Sequence, residues 1–229
     1  MDNPNVHSVP ESDQNAVCES RVIILGASGR TGSQLVKAAL EEGYAVTACA
    51  RYPEKISAQH PRLTKVSLDM HDTESIARVL ATVKGVVIST LGIFHKTDAT
   101  PLADITENLV QAMQKTGLRR LILMSSLGVG DSKGQGNWVV AMVSRFILPY
   151  VLKDKEKQEE LVRASGMDWT VLRPPQLVGS DVSKPYIRWS GTPPKHSIKW
   201  KISTRDTADA LLALAKDPGT IGNAYQISY

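Results

Sequence analysis

The feature that most constrains the fold is a group of three glycines directly after a short apolar run. The run is Val-Ile-Ile-Leu at 22–25, and Gly26, Gly29 and Gly32 come next in the sequence GASGRTG. A wholly apolar, β-branched run of this length is typical of a strand buried on both faces of a parallel sheet. Glycines let the chain turn sharply and approach a phosphate closely, and the N-terminus of a following helix offers free N–H groups to an anion. The pattern predicts a strand, a dinucleotide-binding loop and a helix; the alternative is an ordinary tight turn.

The same alternation of apolar strand and amphipathic helix continues along the chain. Further strands are predicted at 45–50, 63–68, 86–90, 120–124, 168–172 and 224–228, and helices at 33–42, 73–82, 103–116 and 154–165. Ser203 and Asp206 form a capping box for a last helix that ends at Lys216. Strands that alternate with helices form right-handed βαβ units and a parallel sheet covered on both faces. The sequence predicts a single α/β domain over 21–229, a Rossmann-type doubly wound parallel sheet of about seven strands, after a flexible tail at 1–20.

Composition excludes several other classes of protein. The chain has 229 residues, of which 42% are hydrophobic and 22% charged, and its net charge is +4. This mild and dispersed charge gives little support for a nucleic-acid partner, and the apolar stretch at 138–152 is too short and interrupted to span a membrane. Two cysteines, without a Cys-x-x-Cys motif or a Cys/His cluster, predict neither a metal site nor a disulfide framework. We expect a cytoplasmic protein that binds a small-molecule substrate, as a monomer or a homodimer.

The residue after the second strand indicates which dinucleotide is bound. Folds that bind NAD usually place Asp or Glu there, to hold the ribose 2′-hydroxyl. Here the position is Arg51, whose guanidinium can hold the 2′-phosphate of NADP. Arg30 and Lys55 are further candidates for the same phosphate. The alternative is that Arg51 only solvates a strand end, but the sequence favours NADP(H).

Other cofactor contacts are predicted where the remaining strands end. Asp69 can accept a hydrogen bond from the adenine amine and Met70 can cover the ring, although Asp69 could equally serve as an acid at a helix N-terminus. The segment 89–92 fits the nicotinamide-side ribose. The predicted cofactor-binding residues are Gly26, Ser28, Gly29, Arg30, Thr31, Gly32, Arg51, Asp69, Met70, Thr90, Leu91, Gly92, Ser125, Pro174 and Gln176.

Several of these segments together resemble one family. They are GASGRTG at 26–32, Arg51, the segment 89–92, MSSLG at 124–128 and SGMDWTVLRP at 165–174. They are similar to the atypical short-chain dehydrogenases/reductases, and most to the NAD(P)-binding group of NmrA-like proteins and biliverdin-IXβ and flavin reductases. The resemblance covers 21–229. It implies a Rossmann-type fold, NADP(H) and, commonly, hydride transfer to a small conjugated or aromatic acceptor such as a flavin, a quinone or a linear tetrapyrrole.

The resemblance also implies a catalytic set that this sequence matches in part. The family's usual site is a serine with Tyr-x-x-x-Lys, in which the tyrosine transfers a proton and the lysine lowers its pKa and holds the nicotinamide ribose. By position, Ser126 corresponds to the serine and Lys155 to the lysine. The tyrosine falls on Val151, which cannot transfer a proton, so that solvent or a weak donor would finish the reaction. Tyr150 is one residue out of register, a rotation of about 100° on a helix, and stays a candidate acid.

Two other functions stay open, and two irregular segments are predicted to determine which substrate is bound. The chain could be an NADP-sensing NmrA-like regulator without turnover, or a cofactor-dependent isomerase or tailoring enzyme of secondary metabolism. The substrate loops are predicted at about 127–150 and 176–200, with Trp189 and Trp200 available to stack on a planar substrate. His95 is a proton donor or a solvated loop residue, and 138–148 is a buried helix, a pocket wall or a dimer face. The charges at 154–160 indicate a solvated helix face.

Overall fold

The computed structural model describes residues 21–93, 96–135, 149–181, 183–193, 198–199 and 201–229. The predicted tail at 1–20, His95, the apolar segment at 138–148 and Trp200 lie outside these ranges. No helix in the described ranges combines the length and apolarity that crossing a bilayer requires.

The strands and helices alternate along most of the chain. The strands are β1 Arg21–Leu25, β2 Ala45–Ala50, β3 Leu63–Ser67, β4 Val86–Ser89, β5 Arg120–Met124, β6 Asp168–Arg173, β7 Gln176–Val178, β8 Ile187–Trp189, β9 Lys201–Ser203 and β10 Asn223–Ser228. The helices are α1 Arg30–Glu41, α2 Thr73–Ala81, α3 Pro101–Thr116, α4 Pro149–Ala164 and α5 Thr204–Lys216.

The main sheet has eight strands in the order β3-β2-β1-β4-β5-β6-β10-β8. All neighbours in it are parallel except β8, which pairs antiparallel with β10 at the edge. β1 lies between β2 and β4, with Leu25 opposite both Cys49 and Ser89. The strand order reverses at β1, and ligands of such sheets bind at the carboxyl ends of the strands beside this point. The predicted Rossmann-type sheet is therefore confirmed, and β8 adds an eighth strand to the expected seven.

The helices cover both faces of the sheet, as the alternation predicts. α1 and α5 pack together on one face, and α2, α3 and α4 cover the other. Residues of β1 alternate between the two layers: Ile24 packs on the first face, and Ile23 and Leu25 pack on the second. All three are fully buried, as expected for a central parallel strand.

Two helices differ from their predicted form. α1 begins at Arg30 and not at 33, because Gly29 is its N-cap and the glycine loop runs directly into the helix. The predicted solvated face of α4 is wrong, since Asp154 and Glu159 are buried. The Asp154 carboxylate accepts hydrogen bonds from the Leu102 and Ala103 amides at 3.0 and 2.9 Å, and so satisfies free donors at the start of α3.

The predicted capping box of the last helix is present in modified form. Ser203 Oγ accepts from the Asp206 amide at 2.9 Å. The Asp206 carboxylate in turn accepts from Ser203 Oγ at 2.7 Å, and not from a backbone amide of the N-cap. The start of α5 is thereby fixed beside the small two-stranded parallel pair that β7 and β9 form.

Candidate functional site

One cleft runs along the carboxyl edge of the sheet and consists of two joined cavities. The first cavity, of about 490 Å³, lies over the ends of β1 to β4. The second, of about 470 Å³, lies between the glycine loop, the ends of β4 to β6 and α4. Gly92 and Ile93 line both cavities, so the two form one continuous site. Its length and position match the crevice in which this sheet topology holds a dinucleotide.

The glycine loop is folded tightly against the end of β1. Gly26 has a φ of +78°, which favours glycine, and its carbonyl accepts from the Gly29 amide at 2.9 Å. A Cβ on Gly32 would lie 2.1 Å from the Gly26 carbonyl oxygen, so α1 could not approach the loop with any larger residue there. In the described part of the chain, no side chain caps the start of α1. Its first amides are thus available to an anion.

The first cavity brings together part of the predicted adenosine-binding set. Ser28, Arg51, Met70 and Leu91 line it, and Arg51 is exposed at the rim. Asp69 is not among the described lining residues. Asp69 Oδ1 accepts from the His71 amide at 3.0 Å, and its role as an adenine acceptor stays a prediction.

Tyr52 and His71 are among the residues of this cavity that sequence reasoning missed. Tyr52 is half exposed, and Lys55 Nζ lies 4.7 Å from the centre of its ring. The proximity of Tyr52 to Arg51 in the sequence was a usable signal. His71 carries the same kind of signal, because it directly follows the predicted residue Met70 in the sequence.

The second cavity holds most of the other predicted residues. Its lining includes Gly29, Arg30, Thr31, Thr90, Gly92, Ser125, Ser126, Pro174 and Gln176. Arg30 therefore lies in the other half of the cleft from Arg51. Thr90 Oγ1 donates to the Leu25 carbonyl at 2.9 Å and ties β4 to β1. Ser126 Oγ donates to the neighbouring Leu127 carbonyl at 3.2 Å.

Lys155 is the buried cation of the second cavity. Its side chain projects from α4, and its Nζ donates to the Met124 carbonyl at 3.4 Å, a long hydrogen bond for a group with three donors. Burial lowers the pKa of Lys155 to about 8, although the nearby Glu159 and Asp154 carboxylates raise it. Among the described residues Lys155 Nζ thus has donor capacity left for a ligand, and its pKa of about 8 lies close to neutrality.

The position one helical turn before Lys155, where the resemblance predicts the tyrosine to fall, is Val151. Val151 lies on the cavity wall, whereas Tyr150 is 38% exposed and is not among the described lining residues. The structure thus does not bring Tyr150 together with Ser126 and Lys155.

The residues present fit a bound dinucleotide. The glycine cradle has no space for a Cβ at Gly32, and the uncapped helix supplies amides for a pyrophosphate. Ser125 Oγ is buried on the wall of the second cavity without a hydrogen-bond partner among the described residues. Buried hydroxyls are normally hydrogen-bonded, so a polar ligand group at this point would satisfy it.

Comparison with known proteins also indicates that the chain binds a nicotinamide dinucleotide. A family model described as NAD(P)H-binding matches residues 26–218. An uncharacterized chloroplastic protein of Arabidopsis thaliana is 31% identical over 171 residues, which are 70% of this chain and 60% of that protein. Matches to several other curated relatives span 38% or less of their lengths.

Solved structures share the fold at low sequence identity. ChuY of Escherichia coli O157:H7, described as an anaerobillin reductase, superimposes with a TM-score of 0.72 at 22% identity, covering 91% of this chain and 96% of that one. A short-chain dehydrogenase/reductase of Veillonella parvula, solved in complex with NADP, gives a TM-score of 0.76 at 17% identity, covering 92% and 94%.

Proposed function

The chain belongs to the NAD(P)H-binding family, and from that premise we propose that it is an NADPH-dependent reductase of a small conjugated or aromatic acceptor such as a flavin, a quinone or a linear tetrapyrrole. Membership agrees with the resemblance to atypical short-chain dehydrogenases/reductases. The proposal rests above all on one observation: a single cleft joins a glycine cradle to a buried lysine, whose one hydrogen bond to the described residues is long.

A preference for NADP(H) is supported by the charges at the first cavity. Arg51 stands at its rim, and the described residues that line it include no carboxylate. A carboxylate would bind a ribose 2′-hydroxyl and repel a 2′-phosphate, whereas a guanidinium binds the phosphate. We therefore assign the 2′-phosphate to Arg51. Arg30, in the second cavity, is better placed toward the middle of the cofactor.

The chain's own groups have to orient the acceptor and supply a proton. The bound cofactor supplies a hydride. Lys155 would hold the nicotinamide-side ribose, and its ammonium would donate the proton that the acceptor needs after it accepts the hydride; solvent then reprotonates the amine. A pKa near the working pH suits this role. Ser125 and Ser126 are assigned to hydrogen bonds with the cofactor and the acceptor, respectively.

We place the acceptor between the two predicted substrate loops, over about 127–150 and 176–200. Their described parts touch. Trp189 Nε1 donates to Gln135 Oε1 at 3.4 Å, and Gln135 Nε2 donates to the Gly191 carbonyl at 3.2 Å. The cytoplasmic location and the monomeric or dimeric state stay predictions.

The test is a fluorescence titration with NADPH and with NADH, followed by addition of FMN, a quinone and biliverdin. Biliverdin is included because one protein of the same fold is described as an anaerobillin reductase. We expect tighter binding of NADPH and oxidation by at least one acceptor. Tight binding with no oxidation across the panel would support the regulator, and conversion without cofactor oxidation would support the isomerase. Binding of neither nucleotide would end the proposal.

A further inference from the structure

Arg173 is buried behind the wall of the second cavity and links the segments that form this wall. We propose that Arg173 is a positioning residue: it occupies the carboxylate of Glu159 and thereby keeps Lys155 directed at the cleft. The inference rests on the proposed function for the identity of the ligand, but it concerns the chain's own residues.

Arg173 is fully buried at the end of β6. Its Nε and Nη2 donate to the two carboxylate oxygens of Glu159 at 3.0 and 2.7 Å, a bidentate pair. Its Nη1 donates to the carboxylate of Asp131. The guanidinium is therefore shared between a buried and a partly exposed carboxylate.

The partners of Arg173 do not line the second cavity themselves, but they lie on segments that contribute different walls of it. Glu159 lies on α4, one turn after Lys155. Asp131 lies on the segment that comes after Ser125 and Ser126. Arg173 itself precedes the proline pair at 174–175, which lines the cavity. One side chain thus links α4 to the segments after β5 and β6, from the side opposite the ligand.

The approach of the segment after β5 to Arg173 is close enough to require glycine. Gly130 has a φ of +57°, and a Cβ there would lie 2.4 Å from Arg173 Nη2. The Leu127 amide also donates to the Pro174 carbonyl at 2.9 Å, next to this contact. The wall is therefore fixed in position, and not merely attached by one ion pair.

The ion pair of Arg173 and Glu159 also determines the electrostatic environment of Lys155. Residues four apart on a helix are neighbours, and Glu159 raises the pKa of Lys155 against the lowering effect of burial. The charged groups around Lys155 are Asp154 and Glu159 of α4, Arg30 of α1, and Arg173 and Asp131 beyond Glu159. With Arg173 present, the charge of Glu159 is largely compensated, so Lys155 is not drawn into an ion pair away from the cleft.

The test is an NMR titration of the Lys155 side chain in the full chain labelled with [13C]lysine at Cε, with the signal assigned from Lys155→Arg. It needs neither cofactor nor turnover. Glu159→Gln keeps the shape of the side chain and removes its charge, so we expect the midpoint to fall by about one pH unit. Arg173→Met leaves Glu159 uncompensated, so we expect a rise of similar size. The double variant, which lacks both charges, should return close to the wild-type midpoint.

Two controls separate this effect from a general loss of structure. Arg120→Met removes another arginine with a large hydrogen-bond network, at the opposite end of the sheet, where it donates to the Thr170 hydroxyl and the Leu214 carbonyl. We expect it to lower stability and leave the Lys155 midpoint unchanged. Arg163→Ala removes a more exposed cation 3.6 Å from Glu159 and should have a small effect.

The double variant keeps the test open if Arg173→Met does not fold, because it leaves no unpaired buried charge. An unchanged titration midpoint of Lys155 in Glu159→Gln would overturn the proposal. A shift of the same size in Arg120→Met as in the Arg173 and Glu159 variants would overturn it as well. If the midpoints shift as expected while no acceptor oxidises NADPH, the proposed reductase activity fails and the positioning role stands.

Discussion

The carbonyl oxygen of Gly26 lies 2.1 Å from the point that a Cβ on Gly32 would occupy. The atom that such a Cβ would meet belongs to the backbone, so rotation of a side chain could not relieve the clash. It sets the distance between β1 and the first turn of α1, and hence the depth of the pyrophosphate cradle.

Replacement of Gly32 by alanine should therefore displace α1 and remove cofactor binding, and it should lower the melting temperature measurably. The matched control is Gly92→Ala. Gly92 lines the cleft, and a Cβ there would have no atom of the described residues within 4 Å apart from its chain neighbours. Gly92→Ala should keep the melting temperature and weaken only NADPH binding. Equal behaviour of the two variants in thermal unfolding and titration would contradict this account of the loop.

Arg51→Ala should weaken NADPH binding by about 10- to 100-fold, the size expected for a charge-assisted hydrogen bond, and leave NADH binding unchanged. Lys55→Ala is the control, since Lys55 lies over the Tyr52 ring. We expect a much smaller change for it. Nucleotide titrations at two salt concentrations measure both effects. An equal loss for NADH would show that Arg51 supports the fold and not the phosphate.

Lys155→Met should make the protein more stable at pH 7 and abolish the proposed reductase activity. The pKa of Lys155 falls from 10.5 to about 8 on folding, so the folded state binds its proton less tightly than the unfolded state. At 1.36 kcal/mol per pH unit this costs about 3 kcal/mol near neutrality, and the cost disappears as pH rises from about 8 to 10.5. Urea unfolding of both proteins at pH 7 and pH 10 checks the sign. A stability difference independent of pH would show that Lys155 is not buried as a cation.

Tyr150→Phe should retain activity within about twofold, because this side chain is exposed outside the cavity. Ser126→Ala, on the cavity wall, should lose more. General acid catalysis typically contributes 10²-fold or more, so a loss of that size in Tyr150→Phe would identify the tyrosine as the proton donor after all. Steady-state rates of the two variants, measured with the acceptor that the wild type reduces fastest, distinguish these outcomes.

Asp206→Asn should destabilise the chain by about 2 kcal/mol. The buried carboxylate accepts from Ser203 Oγ, from Ser183 Oγ at 2.9 Å, from the Lys184 amide at 2.9 Å and from the Tyr229 hydroxyl. Burial opposes ionisation, but these donors together lower the pKa of Asp206. Its contribution is thus present above the ordinary pKa of 3.8 and is lost as pH falls further.

Denaturant unfolding between pH 7 and pH 3 measures this contribution. Tyr229→Phe removes a single donor and should cost less than Asp206→Asn. A variant as stable as the wild type at pH 7 would show that the donors are satisfied equally well by solvent.

The apolar strands were predictable because each is buried by neighbours of the same kind. Val-Ile-Ile-Leu at 22–25 has one plausible environment, and the glycines directly after it determine the loop and the start of α1. The short strands β7, β8 and β9 were missed because each has only three residues, too few for a periodic pattern, and their partners are distant in sequence.

Charged residues of α4 show the limit of pattern reasoning most clearly. Asp154 and Glu159 lie among lysines and look solvated, yet each is buried by a specific partner: the amides of α3 for Asp154 and Arg173 for Glu159. Helical periodicity records which residues share a face. It does not record that an arginine on a neighbouring strand stabilises a carboxylate in the protein interior.

The parallel pairing of β7 with β9 brings Gln176 opposite Lys201 and Val178 opposite Ser203. The segment between these two strands does not leave the domain, because Ile187–Trp189 return as β8 and pair with β10 at the edge of the main sheet. Exchange of this segment in an engineered chimera would therefore also replace the eighth strand and the Ser183 and Lys184 donors to the Asp206 carboxylate. A chimera joined at Val178 and Lys201 would have to preserve both sets of contacts.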